Sequence, residues 1–182
     1  MKKSFVFMAE GFEEIEALTV VDMLRRAAMP VSMVSITDEY DVQGAHGVTI
    51  LADETISEAD FSDAEWLILP GGMPGSSNLG ACAPLAEILK AQNEAGGYIA
   101  AICAAPFVLG QNGILKGKRA TCYPGFEDRL TGAEYTAAQV ERDGNIITGN
   151  GPAQAISFAA AIIEKSLGAP TARRILEGMM RI

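Results

Sequence analysis

Apolar positions along the chain follow two different periods. Short apolar runs bounded by glycine, proline or charge predict buried strands at Ser4 to Ala9, Val31 to Ile36, Val48 to Ala52, Trp66 to Leu69, Tyr98 to Ile102 and Arg119 to Tyr123. Tyr135 to Val140 and Ile146 to Thr148 flank Asp143-Gly144, a pair that suits the positive φ of a tight hairpin turn. Elsewhere the spacing is helical. Phe12, Ile15, Leu18, Val21 and Leu24 recur on one stripe with Val20, Met23 and Ala27 beside them, so Phe12 to Ala28 reads as a helix closed by Pro30. Pro84 to Ala95, Ala105 to Gly110, Ala153 to Leu167 and Ala172 to Met180 read as further helices.

Strands that alternate with helices predict an α/β fold, a parallel sheet covered on both faces. No linker, repeat or low-complexity tract divides the sequence, so residues 1–182 read as one domain. In such sheets ligands bind beyond the carboxyl ends of the strands. Those ends are Glu10-Gly11, Pro70-Gly71-Gly72, Cys103 and Gly149 to Pro152.

The sharpest chemical signal is Ala101-Ile102-Cys103-Ala104-Ala105-Pro106. A strand ends, a cysteine follows, and a helix begins with proline in its first turn. A nucleophile elbow needs small residues two before and two after the nucleophile, and here these are Ala101 and Ala105. The helix N-terminus would favour a thiolate. The plainer alternative is an inert cysteine buried in an apolar strand. In Pro70-Gly71-Gly72-Met73-Pro74-Gly75, the paired glycines let backbone N–H groups approach a ligand. The N–H groups of the paired glycines and of Ala104 could together form an oxyanion hole, or the segment could be an ordinary loop. Glu16 shares a helix face with Phe12 and Val20, so its carboxyl is either exposed at the edge or buried and protonated. Glu13 and Glu14 read as first-turn acids favoured by the helix dipole. Cys122 is either a second thiol near the crevice or core. Asn150-Gly151-Pro152 either lines the crevice or forms a rigid turn. His46 reads as a solvated turn histidine.

Composition narrows the classes. The 182 residues are 49% apolar and 20% charged, which excludes disorder. Fourteen lysines and arginines against 23 aspartates and glutamates leave a formal charge of −9, which argues against a nucleic-acid or anionic-membrane surface. Three cysteines without a C-x-x-C pair argue against a disulfide framework or zinc site and suit a reducing cytoplasm. The run Phe5 to Ala9 meets Glu10 too soon for a signal peptide, and no run approaches the about 18 apolar residues of a membrane span. No Walker lysine or G-x-G-x-x-G spacing follows the glycines, so nothing calls for a nucleotide, another cofactor or a metal.

These residues resemble the ThiJ/PfpI superfamily, in particular its Parkinsonism-associated deglycase branch. The resemblance runs through Ala9-Glu10-Gly11-Phe12-Glu13-Glu14-Ile15-Glu16, Val21 to Arg26, Leu69 to Gly72, Ala101 to Pro106, Thr121-Cys122-Tyr123-Pro124 and Gly151-Pro152. It implies a flavodoxin-like three-layer sandwich, commonly as a homodimer. It also implies a reactive cysteine at Cys103, a protonated glutamate at Glu16 and backbone donors at Gly72 and Ala104. Gly71, His46, Tyr123, Asn150 and Pro152 would line the pocket. The activity implied is cofactor-free conversion of reactive 2-oxoaldehydes or early glycation adducts, with oxidation sensing or chaperoning through the same cysteine as the alternative. Three departures stand out. The superfamily's peptidases carry a histidine after the nucleophile, where this chain has Ala104, and deglycase relatives often carry a histidine at the position of Tyr123. A family arginine in the loop before the short strand corresponds to His46, and in relatives that loop reaches the partner subunit's pocket.

Overall fold

In the computed structural model, which describes residues 1–181, the chain begins with β1 (Ser4–Met8), α1 (Glu14–Arg26) and β2 (Val31–Ser35). A hairpin of β3 (Asp41–Gln43) and β4 (Thr49–Leu51) follows, then β5 (Glu54–Thr55), β6 (Trp66–Leu69), α2 (Gly75–Ala81), α3 (Ala83–Glu94) and β7 (Tyr98–Ile102). The rest is α4 (Pro106–Gln111), β8 (Arg119–Ala120), β9 (Glu134–Tyr135), β10 (Val140–Asp143), β11 (Ile146–Gly149), α5 (Ala155–Leu167) and α6 (Ala169–Gly178). The main sheet has the order β10-β11-β7-β6-β1-β2-β5, parallel except for the edge strand β10. This is the expected flavodoxin-like three-layer α/β sandwich.

Strand alternation builds two cores. Val6, Met8, Trp66, Ile68, Ala100 and Ile102 face α1, α5 and α6 on one side. Phe5, Phe7, Leu67, Leu69, Ile99 and Ala101 face α3 and α4 on the other. Because side chains alternate, each strand supplies both layers, which is why these strands read as unbroken apolar runs. The strand order reverses between β1 and β6. The carboxyl ends of those two strands therefore part, and a crevice opens there. Glu10-Gly11 and Pro70-Gly71-Gly72 leave the sheet on its two sides.

Several elements differ from expectation. Gly75–Ala81 is helical although its sequence, with Gly75, Gly80 and three polar residues, has weak helix propensity; tertiary packing of Leu79 overrides it. The strand expected at Arg119 to Tyr123 ends at Ala120, because the Thr121 N–H is taken by the Thr148 side chain, 2.9 Å away, and the Tyr123 N–H by the Cys103 carbonyl. Tyr135 to Val140 is not one strand: β9 pairs with β8, and β10 starts at Val140. The hairpin at Asp143-Gly144 forms, with Asp143 opposite Ile146 and Gly144 at φ +60°. Along the expected helical stripe Phe12, Val20, Val21, Met23 and Leu24 are buried, but Ile15 is exposed, while Glu14 and Glu16 are buried. No helix among the described residues is long and apolar enough to cross a membrane.

Phe158 of α5 is fully buried against the end of β11, where its ring lies beside Gly149. Phe158→Ala is expected to lower stability by about 3–5 kcal/mol. Urea denaturation should show a lower midpoint with the slope unchanged.

Candidate active site

β7 delivers Cys103 to the crevice in an unusual backbone state. Cys103 has φ +64°, in a region that non-glycine residues enter at a cost of about 1–3 kcal/mol and that clusters at functional sites. Three hydrogen bonds hold it there. The Cys103 N–H donates to the Gly149 carbonyl at 2.9 Å, its carbonyl accepts from the Tyr123 N–H at 2.8 Å, and the Ala105 N–H donates to the Ile102 carbonyl at 3.1 Å. Ala101 and Ala105 are fully buried where the chain folds back, as the elbow reading requires. Cys103 follows the carboxyl end of β7 and is 9% exposed.

Glu16 approaches from α1 and is completely buried. Its Oε2 accepts the Gly71 N–H at 2.7 Å. Its Oε1 has no hydrogen-bond partner among the described residues, and the carboxyl interacts with the Cys103 thiol. Gly71 lies between them. A Cβ there would come within 2.5 Å of both Glu16 Oε2 and Cys103 Cβ, so only glycine admits both side chains. Gly72, at φ +93°, is equally constrained, since a Cβ would lie 2.5 Å from the Gly11 carbonyl oxygen. The Glu13 N–H donates to the Gly71 carbonyl at 2.9 Å, and the Glu13 carboxylate caps α1 by accepting the Glu16 N–H at 2.7 Å. The loop after β6 is thus tied to the first turn of α1 from both sides.

The electrostatics couple the two groups. Burial pushes Glu16 up to about 7, opposed by the Gly71 N–H and by the hydrogen bond with Cys103. Burial also pushes the Cys103 thiol up to about 12, with repulsion from the Glu16 charge next. The backbone N–H groups of Ala104 and Gly72 act on the sulfur in the opposite sense. Two negative charges do not fit this space, so the pair titrates as a unit. Once Glu16 takes a proton, its repulsion vanishes and it becomes a donor. The two N–H groups then favour the thiolate without opposition from a neighbouring charge. The donors expected to hold an oxyanion are thus already directed at the sulfur.

The other expected residues lie around or outside this centre. Tyr123 is 46% exposed, and its ring flanks Gly151. Asn150 donates its N–H to the Gln139 carbonyl and Pro152 opens a short 3-10 turn; neither bonds to the Glu16–Cys103 pair. Cys122 is fully buried and belongs to the core beside α4. His46 does not bond to Cys103 of its own chain. Its Nδ1 sits 2.7 Å from Glu14 Oε2, and its side chain is 71% exposed. Burial raises the Glu14 carboxyl, but the His46 side-chain and backbone hydrogen bonds outweigh it and hold the pKa below its ordinary value. The hydrogen bond to Glu14 holds His46 above its ordinary value. Sequence reasoning assigned Glu13 and Glu14 only to the helix dipole and missed their roles. The available signal was three glutamates in four positions after the Gly11 turn, more acid than one helix end requires.

The raised Glu16 carboxyl sets a pH dependence. Its folded pKa of about 7 exceeds the ordinary 4.5, so its favourable contribution is complete below pH 4.5 and disappears as pH rises through 7. Wild type should therefore lose roughly 3 kcal/mol relative to Glu16→Gln across that window. Urea unfolding of both proteins at several pH values measures it. Parallel stability curves would show that Glu16 ionises normally. Cys103, raised above 9, acts only at higher pH, and His46 is common to both proteins.

Comparison with known proteins agrees with this geometry. The profile of the DJ-1/PfpI family matches residues 2–165. The chain is 38% identical over 169 residues to Protein DJ-1 homolog B of Arabidopsis thaliana, covering 92% of this chain but only 39% of that longer protein. It is 35% identical over 170 residues to the glutathione-independent glyoxalase DJR-1.2 of Caenorhabditis elegans, covering 92% of this chain and 90% of the relative. The structure of oxidized Toxoplasma gondii DJ-1 superposes with a TM-score of 0.95 at 35% identity, over 99% of this chain and 98% of that one. With its elbow cysteine, buried glutamate and paired glycines in one crevice, the chain belongs to the DJ-1/PfpI family.

Proposed function

We propose that this protein is a cofactor-free glyoxalase of the deglycase type, converting small 2-oxoaldehydes, or the early adducts they form, to 2-hydroxy acids. The observation that carries this reading is the fully buried Glu16 carboxyl facing a thiol held at an elbow. A related protein of similar length named as a glutathione-independent glyoxalase supports the same reaction class.

The chemistry follows from the groups available. The Cys103 thiolate adds to the aldehyde carbon of R–CO–CHO. Protonated Glu16 supplies a proton to the new oxygen, and the Gly72 and Ala104 N–H groups share the developing negative charge as it passes from sulfur to oxygen. Glu16, now a carboxylate, removes the hydrogen from the former aldehyde carbon. The electron pair moves to the neighbouring carbonyl, whose oxygen takes up the hydroxyl proton of the former aldehyde carbon, giving an enediolate. Return of the proton to the second carbon yields a thioester of the 2-hydroxy acid. Water cleaves the thioester, releases R–CH(OH)–COOH and restores the thiol. No electrons leave the substrate overall, so no redox cofactor is required. Peptide hydrolysis lies outside this reading, because Ala104 and Tyr123 supply no base to activate the cysteine and protonate a leaving amine.

A second reading rests on the same site. Oxidation of Cys103 to a sulfenate and then a sulfinate would add an oxygen beside Glu16 Oε1, which lacks a conventional partner and would donate to it when protonated. Turnover by the reduced protein separates the two readings.

The active form is read as a homodimer. Ile15 at the start of α1 and Val48 and Leu51 of the β3–β4 hairpin are 57%, 48% and 66% exposed, and this apolar surface supports self-association. Light scattering should give the mass of a dimer for wild type and a monomer for Ile15→Glu.

Reduced wild type should convert methylglyoxal to lactate without glutathione, measured as steady-state product formation. Cys103→Ser should abolish turnover. Glu16→Gln, which retains a donor but cannot exchange the proton, should lower kcat by about 10²–10⁴-fold. Turnover that survives Cys103→Ser would refute the covalent route.

A further inference from the structure

We infer that Glu13 is a positioning residue for the Glu16–Cys103 pair: its carboxylate fixes the turn that carries Glu16 and, from the Glu16 side of the pair, drives the shared proton onto Glu16 and off the thiol. The hydrogen bonds of Glu13 place it for this. Its side chain accepts the Glu16 N–H at 2.7 Å. Its own N–H donates to the Gly71 carbonyl at 2.9 Å, and its carbonyl accepts the Ala17 N–H at 3.1 Å. The Gly71 N–H in turn donates to Glu16 Oε2 at 2.7 Å. Glu13 therefore joins the loop and the helical turn that enclose the Glu16 carboxyl.

Capping alone does not call for glutamate, since serine, threonine, aspartate and asparagine are the residues preferred at a helix N-cap. Glutamate adds a full negative charge at a helix end that carries the equivalent of about half a positive one. Without it, that end would favour an ionised Glu16 in the first turn; with it, the balance reverses. Glu13 is only 7% exposed, so water and salt screen its charge little. Burial is the main reason that Glu16 holds its proton, and repulsion from Glu13 adds to it. At Cys103 burial again comes first, and the charge that follows is that of Glu16. Glu13 thus acts on one member of the pair. With one proton between them, the choices are carboxylate with thiol, or carboxylic acid with thiolate. Glu13 disfavours the first and leaves the second, the nucleophilic form.

Glu16 is faced by Glu13 from its own helix, by Cys103 from the end of β7 and by the Gly71 N–H from the loop after β6. Glu14 and His46 lie next to Glu13 and pair with each other at 2.7 Å, with His46 Nδ1 4.0 Å from Glu13 Oε1. A protonated His46 would weaken the Glu13 charge, so all proteins are compared at one pH with His46 in place. The effect on the thiol stands apart from the reaction catalysed; its part in turnover rests on the glyoxalase reading.

Alkylation of Cys103 by iodoacetamide at neutral pH, located by peptide mass mapping in the full-length protein, measures the thiolate. Removing a negative charge near a thiol ordinarily speeds this reaction. Acting through Glu16, Glu13→Gln should instead slow it by about threefold to tenfold, the result of lowering the Glu16 proton affinity by about 0.5–1 pH unit. In a Glu16→Gln background the same substitution should not slow it. Glu13→Asp keeps both cap and charge and should react like wild type, whereas Glu13→Asn keeps only the cap and should be slow. This second pair carries the test if Glu13→Gln does not fold. A kcat/KM for methylglyoxal that falls in step with alkylation ties the effect to turnover. A wild type without turnover but with this alkylation pattern would refute the glyoxalase reading and leave the inference standing. Alkylation as fast in Glu13→Gln as in wild type, or as fast in Glu13→Asn as in Glu13→Asp, would overturn it. So would equal slowing in the Glu16→Gln background, which would show that Glu13 does not act through the Glu16 proton.

Discussion

The buried carboxyl of Glu16 is the constraint around which the crevice is organised. It has no exposure, and among the described residues its side chain's one conventional hydrogen bond comes from the Gly71 N–H at 2.7 Å. A carboxylate so withdrawn from water is expensive, and the cost is met by holding a proton rather than by pairing with a cation. That choice fixes the surroundings. The loop after β6 must come close enough to donate, which requires glycine at 71 and again at 72, where a side chain would meet Glu16, Cys103 or the Gly11 carbonyl. The same loop brings the Gly72 N–H to the sulfur. One unfavourable burial thus sets the positions of the thiol, the donors and the proton.

The fold makes this arrangement possible because of where the strand order reverses. β1 and β6 are neighbours whose connections leave in opposite directions, so Glu10-Gly11 and Pro70-Gly71-Gly72 border the same gap. β7 lies next to β6 and ends one residue before Cys103. The elbow's positive φ is sustained by partners that belong to other elements, Gly149 at the end of β11 and Tyr123 after β8. Strain at Cys103 is therefore supported by the whole carboxyl edge of the sheet, and a local change in any of these strands would be felt at the thiol.

Much of this was legible in the sequence, and the failures have physical causes. The strands β1, β6, β7 and β11 read correctly because each is buried on both faces, and β2 because its apolar run still packs at Val31, Met33 and Val34. The elbow was legible because its requirement is local: two alanines around a cysteine at a strand end. Glu16 was ambiguous because a glutamate on an apolar face is normally solvated, and the energy that reverses this comes from Gly71, 55 residues away. Ile15 misled for the complementary reason, as it takes a stripe position on the turn whose inner face is occupied by Glu14 and Glu16. Helix α2 was hidden by its glycines, and Glu14 with His46 by 32 residues of separation. Interactions confined to neighbouring residues leave a pattern, whereas those made by distant chain segments do not.

The departures at Ala104 and Tyr123 concentrate the proton chemistry. In a triad-type hydrolase, a histidine near neutral pKa accepts one proton and releases it to a leaving group. Here the chain's one histidine is bound to Glu14, and Ala104 contributes only its backbone N–H. In the proposed reaction the proton exchanged at the substrate carbon therefore passes through Glu16. A glutamate at its ordinary pKa would be a weak acid source at neutral pH; one raised to about 7 is half protonated there and both gives and takes. Burial therefore gives Glu16 the intermediate proton affinity that a histidine would otherwise provide. Such a group suits the proposed isomerisation, in which a proton moves between adjacent carbon atoms within reach of a single carboxyl.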